Sequence, residues 1–202
     1  TAGGRRVRGY AVAAFAASCL VLFAVATLPH STVSHAKPKT QGAHSVAVEA
    51  QPIAAFDKGD PARMTFGKLE WRGGLVLSST DPGFGGWSAL AIDPDGKRVL
   101  LISDSGVWLT GEMQYDGARP AGIAGARLGP ILGPGGATLR PNYEDDSEGV
   151  VLVSGSLSKG EVLISFEGKH RIGRFPVARE GLGSQTGAVA LPDEASRMEF
   201  NR

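Results

Sequence analysis

From Met64 onward, short apolar runs alternate with clusters of turn-forming residues. Leu69 to Trp71 and Leu75 to Leu77 have the look of strands, and the turn-rich Ser-Thr-Asp-Pro-Gly-Phe-Gly-Gly follows at 79 to 86. Next come Trp87-Ser-Ala-Leu-Ala-Ile-Asp, the turn Pro94-Asp-Gly-Lys, Arg98-Val-Leu-Leu-Ile-Ser-Asp, a Ser-Gly turn, and Val107-Trp-Leu-Thr-Gly-Glu-Met. Asp-Gly between two apolar runs is a hairpin signal, because both positions tolerate the positive φ that tight hairpin turns need. The stretch from 87 to 117 therefore predicts a three-strand meander.

A second copy follows: Glu148-Gly-Val-Val-Leu-Val, a Gly-Ser turn, Val162-Leu-Ile-Ser-Phe-Glu167, then His170-Arg-Ile-Gly-Arg-Phe. Aligning Leu90 with Val150 and Asp104 with Glu167 gives offsets of 60 and 63 residues. Meanders repeated at this spacing suit the blades of a β-propeller, in which each sheet needs a neighbour to cover its faces. A single sandwich, or a plain run of hairpins, fits the same pattern. The expected fold class is all-β: an incomplete β-propeller of antiparallel meander blades, preceded by a signal or anchor helix. A closed propeller needs about four blades, so residues 63–202 are expected to be the N-terminal portion of a truncated propeller domain.

The start of the chain has a different character. Arg5, Arg6 and Arg8 precede an uncharged apolar run from Tyr10 to Leu28, and a polar segment ends in Ser34-His35-Ala36. Residues 1–36 read as a secretory signal cleaved after Ala36, or as an uncleaved membrane anchor. Cys19 lies inside the apolar run, a poor position for lipid attachment. The expected location is periplasmic or secreted, with membrane association only if the segment stays uncleaved. Residues 37–62, rich in Ala, Pro, Lys and Gln, read as a linker or an irregular lead-in to the domain.

Composition narrows the chemistry. The N-terminal segment holds three of the 21 basic residues and none of the 20 acidic ones, so the rest carries 18 against 20, about −2. That balance offers no basic footprint for nucleic acid. The remainder also lacks cysteine and keeps only His44 and His170, which argues against a zinc site. The 29 glycines and 12 prolines in 202 residues favour turns over long helices.

Phe66-Gly-Lys-Leu-Glu-Trp-Arg-Gly-Gly-Leu, Phe84-Gly-Gly-Trp-Ser-Ala-Leu, Asp95-Gly, Ile102-Ser-Asp-Ser-Gly, Asp146-Ser-Glu-Gly and Ser165-Phe-Glu-Gly-Lys-His-Arg-Ile together resemble the phytase-like family of esterase-like activity, over about residues 64 to 175. The resemblance implies an exported bacterial β-propeller that hydrolyses phosphoesters or related esters. It also implies an Asn-x-Gly-x-Glu segment soon after the region where the chain ends, with Asn201 as its first residue and the rest beyond Arg202. Ala89 stands where the family often has Gly, and Ser147 where it usually has Ala. The Arg-His-Gly-x-Arg-x-Pro motif of histidine acid phytases is absent, and the acidic strand motif of calcium-dependent alkaline phytases has no clear match, so phytate hydrolysis is not expected.

The carboxylates are the candidate chemistry. Asp104 and Glu167 end equivalent strands, while Asp146 and Glu148 start an inner strand, where alternation sets both on one side and Ser147 on the other. Asp104, Asp146, Glu148 and Glu167 are the expected metal ligands. Hard oxygen donors of this kind suit Ca²⁺, which would polarise a phosphoryl or acyl oxygen and activate water. Glu148, Glu167 and His170 are the expected catalytic groups, one protonated carboxyl being an alternative general acid. Arg171 is expected either to bind a small anionic ester substrate or to pair with Glu167 or a neighbouring blade. Glu144 and Asp145 read as solvated loop charge. Ser88, in Gly86-Trp-Ser-Ala-Leu, lacks the second glycine of a nucleophile elbow and reads as a strand residue. A propeller that binds a ligand or partner without catalysis is the competing reading, since one fold hosts both, and an inactive fragment of either is the third.

Overall fold

Alternation along the strands dictates how the sheets pack. The computed structural model describes residues 42–196; the basic and apolar N-terminal segment and Asn201 lie outside them. The described chain runs through β1 (His44–Ser45), β2 (Glu49–Pro52), β3 (Thr65–Phe66), β4 (Leu69–Glu70), β5 (Leu75–Ser78), β6 (Trp87–Ile92), β7 (Arg98–Ser103), β8 (Val107–Asp116), β9 (Arg119–Pro130), β10 (Ser147–Ser156), β11 (Lys159–Phe166), β12 (Arg171–Ala178), β13 (Gly181–Leu182) and β14 (Gly187–Val189). A single turn of helix, α1 (Asp193–Ser196), follows. Among the described residues no helix is long and apolar enough to cross a membrane.

All strand pairings are antiparallel. The first sheet has the order β1-β9-β8-β7-β6, and the second the order β10-β11-β12-β13, with β14 also pairing β12, at Ile172 to Arg174, where β13 does not reach. Two small ribbons, β2–β5 and β3–β4, accompany them. The two large sheets do not close into a ring among the described residues.

Every residue of β7 is buried, because its two faces point into two different cores. Leu100 and Ile102 face a cluster shared with the second sheet, where Val162, Ile164, Phe166, Phe175 and Val177 meet them. Val99 and Leu101 face the opposite way, into a cluster with Val107, Leu109 and Leu128. This is the period of two that a pleated strand imposes. Each such aliphatic side chain contributes about 1.5–3 kcal/mol by leaving water. Trp108 extends the shared core, and its indole N–H donates to the Pro130 carbonyl at 2.9 Å.

Polar ties join the sheets at both ends. The Asp93 carboxylate accepts the Leu157 amide at 2.8 Å, and the Ser147 hydroxyl donates to the Ser103 carbonyl at 2.6 Å. Arg98, buried in β7, reaches across to donate to the Arg179 carbonyl.

Two expectations change. The stretch read as a linker contributes β1 and β2, and Val46 and Val48 pack on the second core cluster. The meander expected over 87–117 gains a fourth strand, β9, paired along most of β8. Its sequence, Arg-Pro-Ala-Gly-Ile-Ala-Gly-Ala-Arg-Leu-Gly-Pro, is dominated by Gly and Ala, residues with weak strand preference, and pairing with β8 overrides that.

Candidate functional site

The two sheets carry the same irregularity at the same place. In β6, Trp87 pairs with Ser103 and Ala89 with Ile102, so Ser88 is an extra residue. In β10, Ser147 pairs with Phe166 and Gly149 with Ser165, so Glu148 is the extra residue. Such a bulge bends the strand and re-aims the side chains beside it. A matching backbone bond closes each rim: the Asp104 amide donates to the Gly86 carbonyl at 3.0 Å, and the Glu167 amide to the Asp146 carbonyl at 2.9 Å. Gly86, Ser88 and Asp104 in the first sheet thus correspond to Asp146, Glu148 and Glu167 in the second.

The correspondence sets three carboxylates together. Carboxylate oxygens of Asp146, Glu148 and Glu167 all lie within 4.8 Å of one another, with Glu148 exposed and the other two half-buried. Asp146 precedes β10, Glu148 bulges from it, and Glu167 follows the end of the partner strand β11. Simple alternation is not the whole cause, since the bulge falls on Glu148 itself. Ser147 does face away, fully buried, and its bond to Ser103 anchors the segment that carries both acids.

Electrostatics register the crowding. The Glu148 carboxyl is raised above its ordinary pKa, first by desolvation, then by the charges of Asp146 and Glu167, a hydrogen bond with Asp146, and the charge of Asp104. Asp104 is therefore near enough to be felt, yet its carboxylate is not one of the three convergent groups.

The remaining predicted residues stand elsewhere. His170 is half-buried in the turn between β11 and β12 and is not among the groups acting on Glu148. Arg171 lies over the Phe166 ring, its guanidinium carbon 3.7 Å from the centroid, and donates to the carbonyls of Glu144 and Lys169. The charges that act on it are Glu144 and Asp145. The expected pairing of Arg171 with Glu167 is thus replaced by a contact with Glu144, because stacking on Phe166 turns the guanidinium toward the preceding loop.

That loop also departs from expectation. Asp145 is buried at 7% exposure, and its carboxylate accepts the Asn142 amide at 2.7 Å. Glu144 accepts the Arg140 amide at 3.1 Å and pairs with Lys169 at 3.4 Å. The Arg140 amide, and after it Lys169, hold the Glu144 carboxyl below its usual range. These acids fold the loop instead of coating it, because unpaired backbone amides in a turn need acceptors.

A pocket of about 600 Å³ opens beside the cluster. Its walls come from the 82–86 loop, the 104–107 turn, residues 130–132 and the 138–145 connection. Asp104 and Asp145 line it, whereas Asp146, Glu148 and Glu167 do not. Sequence reasoning missed this pocket; the offset of 60 residues carried a signal, since it sets Gly86 opposite Asp146.

No curated protein and no solved structure matches the chain. The model of the phytase-like family, described as esterase-like activity of phytase, matches residues 82–202. That match covers both bulges, all three convergent carboxylates and more than half of the chain, so the protein belongs to the phytase-like family.

Proposed function

We propose that the protein is an exported hydrolase of phosphoesters or related esters that works with Ca²⁺ held by Asp146, Glu148 and Glu167. The observation that carries this reading is the convergence of three carboxylates on one strand end. The donor set fits the ion. Calcium takes oxygen ligands at roughly 2.3–2.6 Å, so oxygens around one ion lie up to about 5 Å apart, and the spacing here is within 4.8 Å. Bound calcium supplies positive charge that polarises a phosphoryl or acyl oxygen and acidifies a water.

The chain's own groups set the conditions. Asp146 and Glu167 supply two oxygen-donor side chains, and the repulsion they impose on Glu148 is relieved when a cation enters. Burial and its acidic neighbours raise Glu148 above its ordinary pKa, so a cation at the cluster competes with a proton for this carboxyl. Asp104, exposed beside the cluster, deepens the negative field without joining the ligand set. In the same reading the two large sheets are neighbouring propeller blades. Their matching bulges, rim hydrogen bonds and shared core support that, because blades repeat one meander and bury faces against each other. The location proposed is periplasmic or secreted, on the strength of the N-terminal segment alone.

The test is calcium titration calorimetry on the full chain, beside hydrolysis of 4-nitrophenyl phosphate and 4-nitrophenyl butyrate. Binding and turnover are expected in the native protein and loss of both in Glu148→Gln and Glu167→Gln. A native protein that binds no calcium and cleaves neither ester overturns the reading. Calcium binding without turnover of either ester makes the site that of a binding module.

A further inference from the structure

The pocket opens where the first repeat carries Gly86 and Ser88 in place of Asp146 and Glu148 and keeps only Asp104, the counterpart of Glu167. Gly86 occupies the position of Asp146, with φ at +65°, and a Cβ there would stand 2.5 Å from the Asp104 carboxylate. A side chain at 86 would push Asp104 out of place and narrow the opening. The wall is also held. His44 and Asp81 are 2.8 Å apart, the Asp81 carboxylate accepts the Gly83 amide at 2.8 Å, and the Gly86 carbonyl accepts the Asp104 amide.

Position and lining together say what would enter. Asp145 lines the pocket and the next residue, Asp146, belongs to the carboxylate cluster, so one short segment forms a wall of the first and an edge of the second. Phe84, Val107, Ile131, Leu132 and Leu139 make the lining mainly apolar, and about 600 Å³ is ample for an aromatic ring or a short branched chain. No Lys, Arg or His is among the lining residues, whereas Asp104 and Asp145 are. A polyphosphorylated or polyanionic group would meet two carboxylates there and no cation.

We propose that this pocket binds a compact, uncharged apolar group, and that the substrate is accordingly an ester of an aromatic or branched apolar alcohol or acid. The statement about substrate rests on the hydrolytic reading above; the statement about the pocket does not. Ester cleavage then places the apolar fragment in the pocket and the reacting centre toward Asp146, Glu148 and Glu167.

The experiment separates the two. Binding of 1-naphthol to the full chain is followed by ligand-observed NMR, and turnover of 1-naphthyl phosphate is compared with that of glycerol 2-phosphate and inositol hexakisphosphate. Thr138 is exposed at the wall, so Thr138→Trp should fill the pocket without disturbing the cores, and Thr138→Ala should leave it open. Naphthol binding is expected in the native protein, in Thr138→Ala and in Glu148→Gln, with at least a tenfold loss in folded Thr138→Trp. The naphthyl ester is expected to exceed both polar esters at least tenfold in kcat/KM. If naphthol does not bind, or binds a folded Thr138→Trp equally well, the pocket proposal is overturned whatever the turnover. If naphthol binds as expected but no ester is cleaved, the pocket stands and the hydrolytic reading fails. Faster turnover of inositol hexakisphosphate than of the naphthyl ester overturns the substrate class.

Discussion

The Ser147 hydroxyl donates to the Ser103 carbonyl across the boundary between the two sheets, at 2.6 Å, with both residues fully buried. Ser103 is followed by Asp104 and Ser147 is flanked by Asp146 and Glu148, so this bond sets the spacing between the pocket and the carboxylates. The Ser103 carbonyl also accepts the Gly106 amide, so removing the hydroxyl orphans no acceptor. Ser147→Ala is expected to cost about 1 kcal/mol in urea denaturation, the net worth of one hydrogen bond. It should also weaken calcium binding several-fold in calorimetry. Unchanged affinity would show that the acids are positioned without this tie.

Glu148 ties stability to pH in a direction unusual for a carboxylate. Its folded pKa is raised, so the folded state holds the proton more tightly than the unfolded chain. Its effect is to lower stability as pH climbs from the ordinary glutamate value, about 4.3, through the raised folded value. Glu148→Gln should remove that slope and be more stable than the native protein at neutral pH without calcium. Calcium binding competes with the same proton, so affinity should tighten with rising pH across this window. Thermal denaturation and calorimetry at a series of pH values check both.

The His44–Asp81 pair has the opposite sense. His44 is raised, chiefly by its hydrogen bond with Asp81, and Asp81 is lowered, chiefly by the same bond. The histidine's contribution is complete below about pH 6.5 and fades as pH rises through the raised folded value. The aspartate's contribution is present above about pH 3.9 and is lost as pH falls through its lowered value. Both side chains are partly exposed, 33% and 20%, so the pair is worth no more than about 1 kcal/mol. Asp81→Asn should lower the melting temperature most between those limits, with the difference shrinking above neutrality. A constant difference from pH 5 to 9 would contradict the ion pair.

Gly181 of the second sheet packs its backbone directly against the Trp108 ring of the first. Its φ is +133°, and a Cβ would lie 2.1 Å from the buried Trp108 ring. Gly181→Ala combines backbone strain with overpacking and should cost about 3 kcal/mol. The measurement is chemical denaturation with Trp fluorescence. A loss below about 1 kcal/mol would mean that β13 moves away from Trp108 at little cost.

How much of this was legible depended on where the information sat. The strands β6–β8 and β10–β12 could be read because Val99 to Ile102 and Val162 to Phe166 carry dense apolar runs bounded by turns such as Asp95-Gly96. Strand β9 could not, since Gly and Ala fill it and its pairing with β8 decides its conformation. Strands β1 and β2 are two and four residues long and pair with β9 and β5, too short to show a period. The acids Asp146, Glu148 and Glu167 stood out through the repeat. The bulge that places Glu148, the buried role of Asp145 and the pocket did not, because each depends on contacts between segments far apart in the chain.

The bond from the Leu157 amide to the Asp93 carboxylate makes one atom a reporter for the whole assembly of sheets. The donor sits in the turn after β10, while the acceptor belongs to the turn between β6 and β7. Deuterium can reach that amide only when the two sheets part. Its exchange rate should therefore follow global unfolding, not the local fraying that governs most turns. A Leu157 amide that exchanges as slowly as Ile164 in the shared core would identify the pair of sheets as one cooperative unit.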